Sequence, residues 1–269
     1  MTTATIPVSV HMLTFNSAAT IEKALTSVAG WCEDILVADG GSTDETVTIT
    51  KRYGARVILQ REDGEQGGPI TDFSAVRNRV LRENRLPWVL VLDSDEMISE
   101  ELRREMDAAV REGTPGAFLI PRIYVLPDGR RVDHASTYPN ARLYFFHRDC
   151  VEHWIKPVHE RPLLTPGTRV RTFTGASLSP LSSLEEFKRR CREIYFPLEQ
   201  RAGRGRGWMH WLRHRVWHTL RSRLILGVKL LWIWLTPRRG VRMPLRYELA
   251  RYWYGWQLIK ITCPLSRDL

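Results

Sequence analysis

The sequence predicts an α/β protein with a mostly parallel sheet, followed by a basic helical extension. In the N-terminal half, short apolar runs typical of buried strands alternate with segments of helical periodicity, the pattern of right-handed βαβ units. Further along, residues 200–247 contain no Asp or Glu but twelve Lys and Arg, so this stretch carries +12 in a chain of net charge +10. The 269 residues suffice for one large domain with an extension, which we assign to residues 1–180 and 181–269.

The N-terminal elements follow from the spacing of apolar residues and from helix-start motifs. Residues 18–28 carry apolar side chains at helical spacing. Residues 42–45 have the capping-box form S-x-x-E, which predicts a helix from there to about residue 53. The same criteria predict strands at residues 8–13, 34–38, 55–60 and 89–92, and further helices at residues 72–84 and 182–200.

An acidic cluster follows the fourth predicted strand. The apolar run at residues 89–92 leads directly into Asp93-Ser94-Asp95-Glu96. On an extended segment, side chains two apart point the same way, so Asp93 and Asp95 are predicted to converge. Mg²⁺ or Mn²⁺ bridging these carboxylates to ligand phosphates would relieve their repulsion. The alternative is a solvated turn with hydrogen bonds from the Asp side chains to nearby backbone.

Polar residues follow two other predicted strands. Thr14 and Asn16 come after the first strand, and Asp39, Gly40 and Gly41 come after the second. Because the carboxyl ends of parallel strands share one sheet edge, these residues predict a nucleotide-binding crevice. Asp39 would accept hydrogen bonds from a base or ribose, and the glycines would let backbone approach the ligand. The alternative is an ordinary tight strand-to-helix turn.

Several ordered motifs over residues 6–160 resemble those of the family 2 glycosyltransferases. They are V-S-V-H-M-L-T-F-N, V-A-D-G-G-S-T-D-E-T, F-S-A-V-R-N and L-D-S-D-E, followed by Y-P-N-A-R-L-Y and V-H-E. The last two resemble the small lipopolysaccharide-core β-1,4-glucosyltransferase branch. The resemblance implies a GT-A fold, which is Rossmann-like, a UDP-linked or other nucleoside-diphosphate sugar donor, and inversion at the sugar. It also implies that Asp39 contacts the base, that Asp93 and Asp95 hold the metal, and that Arg77 lies near the donor phosphates.

The base that would activate the acceptor hydroxyl is less well defined. The chain lacks the E-D base motif of many family 2 enzymes, and Gly40 replaces a second acid after Asp39. Glu160 is our first candidate and His159 the second, although His159 is equally suited to be a third metal ligand. The alternative for Glu160 is a surface carboxylate. Trp154 and Tyr138 offer flat faces for a sugar ring, or pack in the core.

The acid-free stretch predicts contact with an anionic membrane surface. Seven of the ten tryptophans lie between Trp208 and Trp256, and Arg and Trp without acids suit an in-plane interfacial segment. The apolar run at residues 224–235 is only twelve residues long, too short to span a bilayer. Arg213 and Arg223 intrude on the apolar face that Leu212, Val216 and Leu220 would form. The alternatives are a basic hairpin packed on the catalytic domain or a nucleic-acid surface, and we expect no nucleic-acid partner.

The N-terminal sequence and the cysteines bear on location. Residues 1–4 do not resemble the start of a signal peptide, and four cysteines without a C-x-x-C motif suggest a reducing compartment. We therefore expect a cytoplasmic protein, peripheral on the inner face of the cell membrane.

Three functions are compatible with these observations. The first is metal-dependent transfer of a sugar to a glycolipid or polysaccharide acceptor, such as a lipopolysaccharide core. The second is a sugar-1-phosphate nucleotidylyltransferase, which would need a G-x-G-x-R loop where this chain has T-F-N-S. The third is an inactive membrane-binding protein on the same fold, against which the intact Asp93 and Asp95 argue.

Overall fold

The computed structural model describes residues 5–61, 70–203 and 207–264. The chain divides into two compact units. The first comprises Met1–Tyr124 and Pro139–Pro180, and the second comprises Val125–Tyr138 and Leu181–Leu269.

The first unit alternates strands and helices before a run of strands. Its elements are β1 (Ile6–Thr14), α1 (Ala18–Val28), β2 (Cys32–Asp39), α2 (Thr46–Arg52), β3 (Arg56–Leu59), α3 (Phe73–Arg82), β4 (Trp88–Val91), β5 (Met97–Ile98), α4 (Glu100–Glu112), β6 (Ala117–Val125), β7 (Ala141–His147), β8 (Val151–Ile155), β9 (Arg161–Leu164), β10 (Val170–Thr172) and β11 (Ser177–Pro180).

Nine strands in the described residues form one sheet, in the order β3-β2-β1-β4-β7-β6-β11-β5 with β10 beside β6. β1 pairs in parallel with both β2 and β4, and β2 pairs in parallel with β3. The predicted α/β class with parallel βαβ units is confirmed. β7 is antiparallel to β4 and to β6, and β8 and β9 form a separate antiparallel hairpin. These antiparallel strands were not predicted.

β1 is buried on both faces because the helices of parallel βαβ units cover both sides of the sheet. Val8, Val10 and Met12 point to one side and His11 to the other, and all four are almost wholly covered. This explains the nearly continuous apolar run at residues 8–13. Helix α1 packs Ile21, Ala24, Leu25 and Val28 into the same core, as their helical spacing predicts.

The capping-box prediction at residues 42–45 is wrong in position. Helix α2 starts at Thr46, after an N-cap at Glu45. The Ser42 hydroxyl donates to Asp39 Oδ1 (2.5 Å) and is not a helix cap. Asp44 accepts from the Thr46 backbone N–H instead (3.0 Å), so a side-chain turn delays the helix.

The buried His11 predicts a loss of stability in acid. Its Nε2 lies 3.2 Å from Asn84 Oδ1, and burial lowers the pKa of His11 from 6.5 to about 3. Between these values the unfolded chain binds a proton that the native state excludes. The free energy of unfolding should therefore fall as the pH drops from 6.5 toward 3, by up to about 1.4 kcal/mol per pH unit. Urea unfolding across this range measures the slope. His11→Gln should flatten it, and an unchanged slope in that variant would rule His11 out.

The second unit is largely helical. It contains α5 (Leu184–Arg190), α6 (Phe196–Gly203), α7 (Trp208–Trp211), α8 (His218–Leu235) and α9 (Leu245–Ile261), with π-helical turns at Cys191–Tyr195 and Leu212–Trp217. The helix predicted at residues 182–200 therefore exists, with a π-helical insertion. Within the described part of the chain, no helix combines the length and hydropathy required to cross a bilayer. Arg204 and Arg206 of the basic stretch lie outside the described residues.

Candidate active site

Strand register brings the predicted site residues to one edge of the sheet. Thr14 at the end of β1 pairs directly with Asp39 at the end of β2. On the other side of β1, His11 pairs with Val91, so Asp93 emerges at the same edge. This edge is where doubly wound sheets bind ligands.

The Asp39 side chain closes the turn that follows β2. Its Oδ2 accepts from the backbone N–H groups of Gly41 and Ser42, each at 2.8 Å. Its exposed fraction is only 3%. These hydrogen bonds are those of an ordinary tight turn after a strand. Any contact of Asp39 with a base would therefore use the remaining acceptor capacity of its two carboxylate oxygens.

The glycines and Asn16 complete this turn. Gly41 has a φ of +88°, which favours glycine. A Cβ on Gly40 would lie 3.0 Å from the Gln60 side chain and 3.2 Å from Phe15, so its close neighbours belong to the protein itself. Asn16, with a φ of +47°, accepts from the Thr43 backbone N–H (2.9 Å) and ties the two strand-end loops together.

Asp93 and Asp95 lie in a turn, which corrects the extended geometry predicted for them. The Glu96 N–H donates to the Asp93 carbonyl (2.9 Å), closing a tight turn after β4. The period-two argument for their convergence therefore does not apply. Both residues are partly exposed at this edge of the sheet.

Two arginines hold the Asp93 carboxylate. Arg142 Nη1 lies 2.9 Å from Oδ2, and Arg77 Nη2 lies 3.3 Å from Oδ1. Burial would raise the pKa of Asp93, but the neighbouring guanidinium groups, Arg142 foremost, outweigh it and hold that pKa below its usual range. Asp93 is therefore a charge-bearing group whose two oxygens both face cations.

Arg77 joins two motifs that are far apart in sequence. Its side chain is only 4% exposed, and its Nε lies 3.4 Å from Glu160 Oε1 while Nη2 faces Asp93. The aromatic rings of Tyr144 and Trp154 flank the guanidinium at 5.9 and 5.7 Å. Arg77 Nη1 is buried and has no hydrogen-bond partner among residues 5–61, 70–203 and 207–264. A buried cation with an unused donor is suited to an anionic ligand.

The segment that carries Glu160 is fixed to α3. Asn78, next to Arg77, accepts from the Trp154 backbone N–H (2.6 Å) and donates to its carbonyl (2.9 Å). These two hydrogen bonds align β8 with α3. In the loop between β8 and β9 the chain changes direction at His159, whose φ is +56°. Glu160 faces Arg77, whereas His159 is exposed.

Sequence reasoning gave no role to Glu96 or Arg122. Glu96 is 1% exposed and forms an ion pair with Arg122. Burial and the nearby Asp93 raise the pKa of Glu96 to about 7, against the pull of Arg122. Glu96 was visible in the D-x-D-E cluster, but Arg122 comes from the unpredicted strand β6. Arg142 was noted only as part of a motif.

The two aromatic residues predicted to stack on a sugar ring belong to different units. Trp154 is 3% exposed and packs at the edge of Tyr144 and Phe146, so core packing accounts for it. Tyr138 belongs to the second unit, where its carbonyl accepts from Lys229 Nζ (3.2 Å).

The carboxylates at this edge of the sheet are possible ligands for a divalent cation. Among residues 5–61, 70–203 and 207–264, no group of three or more His, Cys, Asp or Glu side chains is arranged to hold a metal ion. Mg²⁺, however, is commonly bound by one or two carboxylates, with substrate phosphates and water completing the shell. Asp93 and Asp95 fit that mode of binding, and Arg142 is the cation that Asp93 contacts most closely.

Comparison with known proteins gives a consistent family. The family model described as Glycosyl transferase family 2 matches residues 9–163. A glycosyltransferase of Rickettsia bellii is 30% identical over 119 residues, covering 44% of this chain and 38% of that protein. The glycosyltransferase SunS from the SPbeta prophage of Bacillus subtilis is 29% identical over 100 residues, covering 37% and 22%. The matches thus span less than half the length of these curated relatives.

Similar solved structures include two bacterial proteins. S. aureus TarS 1–349 in complex with UDP has a TM-score of 0.49 at 18% identity, covering 84% of this chain and 71% of that one. Glucosyl-3-phosphoglycerate synthase from Mycobacterium tuberculosis, in complex with phosphoglyceric acid, has a TM-score of 0.47 at 18% identity, covering 74% and 80%.

Proposed function

The chain belongs to glycosyl transferase family 2; from that premise, we propose that it is a glycosyltransferase that moves a sugar from a UDP-linked donor to a glycolipid or polysaccharide acceptor, with inversion. The observation that carries this proposal is the buried Arg77 guanidinium, which contacts both Asp93 and Glu160. Transfer requires an acceptor base and a charge-stabilised leaving group on either side of one anomeric carbon. Because one guanidinium contacts both carboxylates, Glu160 and Asp93 lie close together. This supports assigning the acceptor base to Glu160 and the leaving-group site to Asp93.

In this proposal the residues have separate tasks. The Glu160 carboxylate takes the proton from the acceptor hydroxyl, whose oxygen forms the new bond at the anomeric carbon as the bond to the diphosphate breaks. Arg77 keeps Glu160 oriented and offers its free Nη1 donor to the departing diphosphate. His159 remains the second candidate for the base.

Divalent metal dependence is also part of the proposal. Asp93 and Asp95 would hold Mg²⁺ or Mn²⁺, which would neutralise charge on the leaving diphosphate. Arg142 already neutralises Asp93 in the structure, so metal binding has to compete with this ion pair. Thr14, Asn16, Gly40 and Gly41 would form the floor of the donor pocket. Membership of this family favours transfer over nucleotidylyl transfer.

The acceptor and the location are proposed on other grounds. The Y-P-N-A-R-L-Y and V-H-E motifs support a lipopolysaccharide-core acceptor, and the acid-free stretch supports a peripheral site on an anionic membrane face. The proposed domains remain a catalytic domain at residues 1–180 and an extension at residues 181–269.

The proposed donor pocket is tested at Asp39. Asp39→Ala should weaken UDP binding by roughly 1.5–3 kcal/mol, the size of a charged hydrogen bond. Because Asp39 also closes its own turn, Ser42→Ala is the matched control, since it removes one bond to Asp39 but keeps the carboxylate. Calorimetry should show a much smaller effect for Ser42→Ala. Unchanged UDP affinity in Asp39→Ala would show that Asp39 stabilises only the turn and does not bind the nucleotide.

A further inference from the structure

Exposed apolar side chains are concentrated in the second unit. Of the nineteen large hydrophobic residues exposed in the described part of the chain, fifteen lie between Trp208 and Trp256. Monomeric soluble proteins rarely expose contiguous apolar patches of this kind, and such patches mark interaction surfaces.

Five of these residues form a continuous stripe along α8. They are Leu220, Leu224, Val228, Leu231 and Leu235, spaced by three or four residues, with exposed fractions of 52%, 70%, 62%, 59% and 73%. Residues at this spacing share one face of a helix. The opposite face contains the buried Thr219 and Ile233. α8 has 18 residues, and from Leu220 to Leu235 the stripe extends over about 23 Å of its length.

Two basic residues of α8, Arg223 and Lys229, face away from the stripe. Arg223 is half-buried against α9, where a Cβ on Gly255 would lie 2.4 Å from its Nε, and the Tyr252 hydroxyl donates to its carbonyl. Lys229 Nζ donates to the Tyr138 carbonyl (3.2 Å). Packing against α9 therefore turns Arg223, one of the two arginines expected to intrude on the face of Leu212, Val216 and Leu220, away from the stripe.

Cations and tryptophans gather around the end of the stripe. The Arg238 guanidinium lies 3.7 Å from the centre of the Trp232 ring, and that of Arg242 lies 5.5 Å from the Trp234 ring. Both tryptophans are about half exposed. Arg stacked on Trp presents charge and an amphipathic ring together, which suits the headgroup region of a bilayer.

We infer that the apolar stripe of α8 lies in the plane of an anionic lipid surface, with its side chains below the headgroups and the arginines among them. A second copy of the chain is a poorer occupant. A two-fold interface joins a patch to itself, and residues 200–247 offer no carboxylate to meet the arginines of the partner. Anionic headgroups supply that missing charge. The inference deepens the peripheral location proposed above and is independent of the transfer chemistry.

The test compares two matched double variants. Leu224→Gln with Val228→Gln removes two stripe residues. Leu59→Gln with Val170→Gln removes the same pair of residue types, also exposed, from the first unit. Co-sedimentation is measured with phosphatidylcholine vesicles, with and without phosphatidylglycerol, at low and high salt. Thermal unfolding and donor hydrolysis without vesicles check that both variants fold.

The wild-type protein and the first-unit variant should sediment with anionic vesicles and be only partly released by high salt. The stripe variant should bind roughly tenfold or more weakly, and high salt should release what remains. If the stripe variant fails to fold, Leu231→Gln with Leu235→Gln replaces it.

Equal sedimentation of the stripe variant and the wild type would overturn the inference while leaving charge-driven membrane binding intact. Failure of the wild type to sediment at low salt would overturn both. A lipid-free dimer that dissociates in the stripe variant would assign the stripe to a second copy. If the wild-type protein does not hydrolyse the donor, only the proposed function is contradicted.

Discussion

Asp95→Asn is expected to lower donor turnover by roughly a hundredfold or more, because the leaving diphosphate loses part of its counter-charge. The substitution preserves shape and removes one charge. It is a cleaner test than Asp93→Asn, since Asp93 also holds Arg77 and Arg142 and its loss would release both side chains. The measurement is release of UDP from UDP-glucose over a range of Mn²⁺ concentrations.

A control within the same turn separates charge from conformation. Ser94→Ala changes the residue between the two carboxylates and keeps both acids. The Ser94 hydroxyl donates to the Ser17 hydroxyl (3.2 Å), so the substitution removes one hydrogen bond and no charge. We expect near wild-type turnover from this variant. Near-normal donor turnover by Asp95→Asn would show that Asp95 is not part of the donor site.

Glu160→Gln is expected to reduce sugar transfer by roughly 10²–10⁴-fold while leaving donor affinity unchanged. Glutamine retains an oxygen that can accept from Arg77, so the buried guanidinium keeps a partner. Transfer is measured from UDP-glucose to purified lipopolysaccharide core, and UDP binding is measured by calorimetry.

Glu152→Gln is the matched control, since Glu152 is an exposed carboxylate on β8 of the same hairpin. It should behave as wild type. Loss of UDP or metal binding in Glu160→Gln would instead assign this segment to the donor site. Wild-type transfer would exclude Glu160 as the base, and His159→Ala would then test the second candidate.

The sequence was sufficient to predict the parallel half of the sheet, and physical reasons explain why. β1, β2 and β4 are buried on both faces, so their apolar runs are nearly continuous, and α1 shows its buried face as a regular repeat. By contrast, β5 has two residues and β10 has three, too few to generate a recognisable pattern. Residues 125–138 join the second unit through backbone bonds to Val241, which no local pattern could reveal.

The positions of the candidate site residues were predictable from the sequence, but the contacts between them were not. Asp39 and Asp93 were chosen as candidates because Asp39 ends one buried strand and Asp93 follows another. Their partners were not, since Arg122 and Arg142 come from antiparallel strands whose pairing depends on distant residues. The contact between Arg77 and Glu160 joins residues 83 positions apart. Local spacing carries no information about such a contact.

The central claim is that the Asp93–Asp95 turn and Arg77 form the donor site of a metal-dependent glycosyltransferase. Release of UDP from UDP-sugars by the wild-type protein, with Mn²⁺ and then with excess EDTA, tests it most directly. We predict that one UDP-sugar is turned over with Mn²⁺, that EDTA abolishes the reaction, and that added Mn²⁺ restores it. Full activity in EDTA would contradict metal dependence, and no turnover of any UDP-sugar with Mn²⁺ would contradict the claim itself.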